Sequence, residues 1–234
     1  MKKFIKVIVA LAFITLLTGC IDISFDAIKF KDEYESLNGT KNSKGLAHRD
    51  VTIDATNPFI YKTGDEIVEM IDNEETFFVY FGDTQCPWCR SVIEKAIAVA
   101  KEYNVKKIYY VKIWDNDHNE VLRDVYSVND DGTVEKTKEG TSAYTKLLGY
   151  FDSVLKDYSL KDKDKNPVES PEKRIYAPNF IYVRNGKAIK MVEGISDLQK
   201  DSREELTQEI LADEEAQFND FFKTASTCDV DSGC

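Results

Sequence analysis

Two cysteines, Cys86 and Cys89, stand in the sequence Cys-Pro-Trp-Cys shortly after the apolar run FFVYFG. A pair at this spacing could exchange a disulfide with another protein, form half of a zinc site, or form a structural bridge. Zinc would need two more ligands, and the spacings of the remaining candidates are unlike those of common zinc sites: Cys228, Cys234, His48 and His118. Redox chemistry is therefore the leading interpretation, and no metal is expected.

The position of the first cysteine favours this chemistry. A predicted strand ends near Gly82, and Pro87 suits the first position of a helix, so Cys86 should cap that helix. Free backbone N–H groups and the positive end of the helix dipole would both favour its thiolate. Cys89 lies one turn further along the helix. We therefore expect Cys86 to attack from an exposed helix end and Cys89, just inside, to resolve the mixed disulfide.

The elements that position the pair follow from hydrophobic periodicity. The predicted elements follow one another in the order short strand, amphipathic helix, buried strand, helix and strand. This order predicts a parallel sheet with crossover helices. Their approximate ranges are Phe59–Tyr61, Gly64–Glu75, Thr76–Gly82, Pro87–Tyr103 and Lys106–Trp114.

The second half of the sequence is predicted to contain two hairpins and two helices. Asn129-Asp130-Asp131-Gly132 and Asn185-Gly186 are turn sequences between β-prone runs. Helices are predicted over Thr141–Tyr158, with Thr141 or Ser142 as the cap, and over Ser202–Lys223. The charged segment 159–173 between them is predicted to be a solvated loop.

This order resembles the thioredoxin superfamily, and the segments CPWC and YAPNF carry the resemblance over about residues 57–222. It implies an α/β thioredoxin-like fold, with a central mixed sheet flanked by helices and a β-hairpin insertion before the third predicted helix. It also implies a cis bond between Ala177 and Pro178 facing the cysteines, with both residues contacting substrate. The alternative for Pro178 is an ordinary proline at the start of a strand.

Within the superfamily, FFVYFGDTQCPWC resembles thioredoxin-like lipoproteins of Gram-positive bacteria and bacteriocin transport accessory proteins. Thioredoxins proper carry a buried aspartate where this chain has Tyr80, so their aid to deprotonating the resolving cysteine is expected to be missing. Lys112 either matches the lysine that accompanies that aspartate or is a solvated residue at a strand end. Trp88 would be the most exposed residue of the motif, and would either contact substrate or pack against the insertion.

The N-terminus has the pattern of a targeting segment. Lys2, Lys3 and Lys6 precede the apolar run Val7–Leu17, which is too short to span a bilayer. The sequence LTGC that ends at Cys20 resembles the lipobox of bacterial lipoproteins, although an ordinary secretory signal is the alternative. The predicted organisation is a signal peptide (1–19), a lipidated cysteine and tether (20–56), the thioredoxin-like domain (57–223) and a cysteine-containing tail (224–234).

Charge narrows the choice of partners. The formal net charge is −11, and removing residues 1–19 with their three lysines makes it −14. Without a basic patch to displace counterions, nucleic acid is not an expected partner. The tail cysteines Cys228 and Cys234 could form a static disulfide, a relay that exchanges with Cys86 and Cys89, or free or metal-binding thiols.

The sequence thus predicts a monomeric, membrane-anchored thiol–disulfide oxidoreductase outside the cytoplasm, with no cofactor besides its Cys86–Cys89 disulfide. Its partners would be exported proteins or peptides, a redox partner protein, and the membrane through the lipid. Two alternatives stay open: an accessory factor for disulfide formation in one exported peptide, such as a bacteriocin, and a non-catalytic binding lipoprotein. The direction of the reaction is not encoded in the motif.

Overall fold

The computed structural model describes residues 24–226, which form five helices and nine strands. The helices are α1 (Phe25–Glu35), α2 (Gly64–Asp72), α3 (Pro87–Glu102), α4 (Ser142–Phe151) and α5 (Gln208–Ser226). The strands are β1 (Phe59–Tyr61), β2 (Phe77–Gly82), β3 (Ile108–Lys112), β4 (Val125–Val128), β5 (Val134–Lys138), β6 (Lys156–Lys161), β7 (Pro167–Arg174), β8 (Asn179–Arg184) and β9 (Lys187–Val192).

Five strands form a mixed central sheet in the order β1-β3-β2-β8-β9. β1, β3 and β2 are parallel to one another, as their alternation with helices predicts. β8 is antiparallel to β2, and β9 is antiparallel to β8. Asn185 and Gly186 both have positive φ, 49° and 69°, as a two-residue hairpin turn requires. The predicted hairpin around Asn129–Gly132 is also present, as β4 and β5.

Side chains of β2 alternate between two cores. Phe78 and Tyr80 point into what we call the cysteine-side core, which contains Cys86, Cys89 and buried residues of α1, α3 and α5. Phe77, Val79 and Phe81 point into the opposite core, which α2 and α4 cover. All six residues of β2 are buried, so the strand lies at the centre of the molecule with the cysteines at its carboxyl end.

The prediction that residues 20–56 form a tether is wrong for the part that the structure describes, 24–56. Ser24 caps α1, and its side chain accepts a hydrogen bond from the N–H of Ala27. Phe30 and Tyr34 are completely buried in the cysteine-side core. Ala27, Phe30 and Tyr34, at helical spacing, are buried and help to dock this charged helix, so polar composition was a poor guide here. At the other end, α5 extends past the predicted boundary at residue 223 to Ser226.

A second correction concerns residues 152–173. Helix α4 ends at Phe151, and the predicted loop is the antiparallel hairpin β6–β7. Tyr158 explains the difference, because its ring lies 5.7 Å from that of Tyr126 and 6.1 Å from that of Tyr176. The guanidinium of Arg174 lies 4.2 Å above the Tyr158 ring. Side chains contributed by β4 and by the segment before β8 therefore stabilise a strand that charge alone predicts to be solvated.

Candidate redox site

Cys86 is the N-cap residue of α3, as predicted, with Pro87 at the start of the helix. Its sulfur accepts a hydrogen bond from the N–H of Cys89 at 3.3 Å. Its thiol donates to the carbonyl oxygen of Ala177 at 3.4 Å. Cys86 is only 4% exposed, so the expectation of an exposed nucleophile is wrong. The Ala177 carbonyl, in the segment before β8, therefore lies against the sulfur at the start of the helix.

The environment separates the pKa values of the two thiols, both of which are free. Burial raises the pKa of Cys86, but hydrogen bonds from the Cys89 thiol and from the backbone N–H groups of Cys89 and Trp88 outweigh burial, so the net shift is downward. Burial and the neighbouring Cys86 raise the pKa of Cys89 well above its usual range. The pair therefore consists of one sulfur favoured as thiolate and one favoured as thiol.

The segment that faces Cys86 carries the implied cis bond, between Ala177 and Pro178. Asn179, which is completely buried, fixes this turn. Its Oδ1 accepts from the N–H of Tyr176 at 2.6 Å, and its Nδ2 donates to the Pro178 carbonyl at 3.0 Å. The structure thus brings together three predicted site elements: Cys86, Cys89 and the Ala177–Pro178 turn.

Trp88 is half-buried and packs against the cysteine-side core. Its carbonyl oxygen accepts a hydrogen bond from the Ser91 hydroxyl at 2.8 Å. Gln85 contacts the long connection after β3, since its Nε2 donates to the Asn116 carbonyl at 3.4 Å. The insertion therefore borders the turn before the cysteines.

Tyr80 is buried in the same core as Cys89. Its ring stacks on Phe180, with centroids 4.3 Å apart, and on Tyr110, at 5.3 Å. Its hydroxyl lies 2.9 Å from the hydroxyl of Tyr34 on α1 and partly offsets the rise that burial causes in the pKa of the Cys89 thiol. Gly82 provides the room, because a Cβ at that position would lie 2.2 Å from the Tyr80 hydroxyl. The position therefore carries a polar atom that lowers the pKa of Cys89, although it lacks a carboxylate.

Asp83 lies in the turn between β2 and α3 and is 1% exposed. Its Oδ1 accepts from the N–H of Gln85 at 2.8 Å, while its Oδ2 has no hydrogen-bond partner among residues 24–226. Burial raises the pKa of this carboxyl to about 6. Lys112, at the end of β3, has its Nζ 3.2 Å from a carboxylate oxygen of Glu33 on α1. Its side chain therefore forms an ion pair and is not simply solvated.

Arg90 follows Cys89 directly and is completely buried. It donates to the carbonyls of Arg49, Tyr34 and Thr84 and to the Asn38 side chain, at 2.7 to 3.1 Å. One side chain thus joins α1, the segment after it and the turn that precedes the cysteines.

Four residues at the site escaped the sequence interpretation: Tyr34, Asp83, Arg90 and Asn179. Only two left a signal. Tyr34 continues the spacing of Ala27 and Phe30, and Arg90 is a charge on a helix face that is otherwise apolar.

Cys20, Cys228 and Cys234 lie outside the described residues. Within residues 24–226 there is no group of three or more His, Cys, Asp or Glu side chains that could hold a metal ion. In the same range no helix is long and apolar enough to cross a bilayer.

Comparison with known proteins gives no family assignment. No family model matches the chain, and no curated protein matches it significantly.

Proposed function

We propose that the protein is a thioredoxin-like thiol–disulfide oxidoreductase that exchanges disulfides with exported proteins through Cys86 and Cys89. The observation that carries the proposal is the paired sulfurs at the N-terminus of α3, one with a lowered and one with a raised pKa. The mixed α/β architecture and the Ala177–Pro178 turn against Cys86 are compatible with it.

The reaction is a two-step exchange. The Cys86 thiolate attacks a substrate disulfide, a Cys86–substrate bond forms, and the first substrate sulfur leaves as a thiolate that takes a proton from solvent. The Cys89 sulfur, having lost its proton, then attacks Cys86 Sγ and releases the second substrate sulfur. Two electrons pass to the substrate and a Cys86–Cys89 disulfide remains, which a dithiol partner protein reduces. The reverse sequence oxidises a substrate dithiol.

Substrate is proposed to approach along Ala177, whose carbonyl oxygen already bonds to the Cys86 thiol. Displacement of that bond by an extended substrate backbone would place a substrate sulfur next to Cys86. Trp88 would offer an apolar contact beside it. The motif LTGC at Cys20 supports attachment to the outer face of the cell membrane through a lipid.

Insulin reduction by the full chain in detergent, with dithiothreitol as the reductant, tests the proposal. Cys86→Ser should abolish turnover, because no thiolate remains to attack. Cys89→Ser should accumulate a mixed disulfide, detected as an added mass on Cys86. Turnover that is unaffected by Cys86→Ser would contradict the proposed role of Cys86. The absence of turnover in both insulin reduction and refolding of a reduced protein would contradict the proposal and favour a binding role. Equilibration with glutathione buffers would then give the reduction potential and the direction.

A further inference from the structure

Deprotonation of Cys89 is the difficult part of the proposed exchange. Its sulfur is completely buried, and burial raises its pKa, yet only its thiolate can resolve the mixed disulfide. The titratable groups around this sulfur are Cys86, Asp83 and three tyrosines, Tyr34, Tyr80 and Tyr110. Hydrogen-bond donors at this sulfur would favour its thiolate.

Two neighbouring groups lower the pKa of Cys89 against the effect of burial: the hydroxyl of Tyr80 and the backbone N–H of Asp83. A hydroxyl has one proton, so a Tyr80 hydroxyl that donates to sulfur can accept from a further donor. Tyr34 can be that donor, because its oxygen lies 2.9 Å from the Tyr80 oxygen, whereas the Asp83 carbonyl, to which its hydroxyl can also donate, is further away at 3.5 Å. Donation in the order Tyr34 to Tyr80 to Cys89 would let each bond in the chain strengthen the next.

Packing fixes both hydroxyls. Tyr34 and Tyr80 are completely buried, and burial raises the pKa of each well above its usual range, so both keep their protons. Arg90 holds the Tyr34 carbonyl at 2.9 Å and thereby anchors the end of α1. Gly82 leaves the space that the Tyr80 hydroxyl occupies.

We propose that Tyr80 is a catalytic residue that donates a hydrogen bond to the Cys89 thiolate, and that Tyr34 of α1 is a positioning residue that orients and polarises the Tyr80 hydroxyl. The inference rests on the proposed thiol exchange. During resolution the Cys89 proton passes to solvent and both tyrosines keep theirs. The Cys89–Cys86 bond forms, the Cys86–substrate bond breaks, and the departing substrate thiolate takes a proton from solvent.

Stopped-flow reaction with DTNB separates the two cysteines. The full chain with Cys20→Ser, Cys228→Ser and Cys234→Ser retains only Cys86 and Cys89 as thiols. Attack by Cys86 releases one thionitrobenzoate at a rate proportional to DTNB concentration. Resolution by Cys89 releases the second at a rate independent of that concentration.

Tyr34→Phe removes one oxygen from this background. We expect the first phase to be unchanged and the second to slow about three- to tenfold at neutral pH, the effect of one hydrogen bond. The apparent pKa of the second phase should rise, and the difference from the parent should vanish at high pH. Tyr80→Phe should slow the second phase at least as much.

Tyr110→Phe is the matched control. Tyr110 is equally buried and stacks on Tyr80, but its hydroxyl has no hydrogen-bond partner in the described part of the chain. Its second phase should equal that of the parent. A Tyr34→Phe variant that resolves at the same rate and with the same pH profile as Tyr110→Phe would overturn the inference while leaving the exchange intact. A parent chain that releases fewer than two thionitrobenzoates would contradict the proposed exchange itself.

Discussion

The two cores on either side of the central sheet are built from different chemistry. The cysteine-side core combines aromatic rings with polar atoms, among them two thiols, the paired hydroxyls of Tyr34 and Tyr80, and the guanidinium of Arg90 at its edge. The opposite core is largely aliphatic, with residues such as Ile67, Val79, Leu147, Ile181 and Val183. β2 separates them by the simple alternation of its side chains. One face of the sheet therefore provides packing, and the other is organised by hydrogen bonds around the sulfurs.

The largest loss of stability is expected from Arg90→Met. Four acceptors would lose a donor: the carbonyls of Arg49, Tyr34 and Thr84 and the Asn38 side chain. The Tyr34 and Thr84 bonds are fully buried, whereas the Asn38 oxygen still accepts from the N–H of Val51. Since each unsatisfied buried acceptor costs about 1–3 kcal/mol, we expect a total loss of about 4 kcal/mol. Urea denaturation monitored by circular dichroism measures it.

Lys95→Met, on the same helix, is the control for Arg90→Met. Lys95 forms a partly exposed ion pair with Glu215 at 2.7 Å, and such pairs contribute about 0–1 kcal/mol. Equal losses for the two variants would show that hydrogen bonding does not organise the cysteine-side core.

Leu147→Ala probes the opposite core. Leu147 on α4 is completely buried, and removal of its side chain leaves a cavity, so the free energy of unfolding should fall by about 2–5 kcal/mol. Both phases of the DTNB reaction should keep their rates at temperatures where the variant is folded. Leu148→Ala, at the half-buried neighbour, should cost less. If Leu147→Ala slowed the second phase as much as Tyr34→Phe, the two cores would not be functionally separate.

Asp83→Asn should change stability by an amount that depends on pH. Burial raises the pKa of Asp83 to about 6, whereas an unfolded aspartate titrates near about 3.9. The folded state therefore binds more protons between these values, and stability decreases as pH rises through this window. The variant should match the parent near pH 4 and exceed it above pH 7 by up to about 3 kcal/mol.

The same substitution should lower the pKa of Cys86, because the negative charge of Asp83 opposes the thiolate. Denaturation curves at several pH values and the ultraviolet absorbance of the thiolate measure the two effects. Asp117→Asn, at an exposed aspartate in the insertion, should change neither. A stability difference that is constant with pH would contradict the assignment of this titration to Asp83.

Local features of the site were predictable. The helix start at Cys86, the parallel order of the first strands and the turn at Asn185-Gly186 all follow from neighbouring residues. Two segments were mispredicted because composition outweighed spacing. Residues 24–56 are rich in charge, but Ala27, Phe30 and Tyr34 dock α1, and a few aromatic contacts turn the charged segment after α4 into a hairpin.

By itself, the sequence determined where the two sulfurs lie on their helix and which of them caps it, because capping and strand-to-helix turns depend on residues a few positions apart. Only the tertiary structure decided what surrounds the second sulfur. Tyr34 and Tyr80 are 46 residues apart, and their hydroxyls meet because α1 and β2 pack into the same core. No local pattern encodes such a contact, since it depends on which faces of two distant elements are buried together.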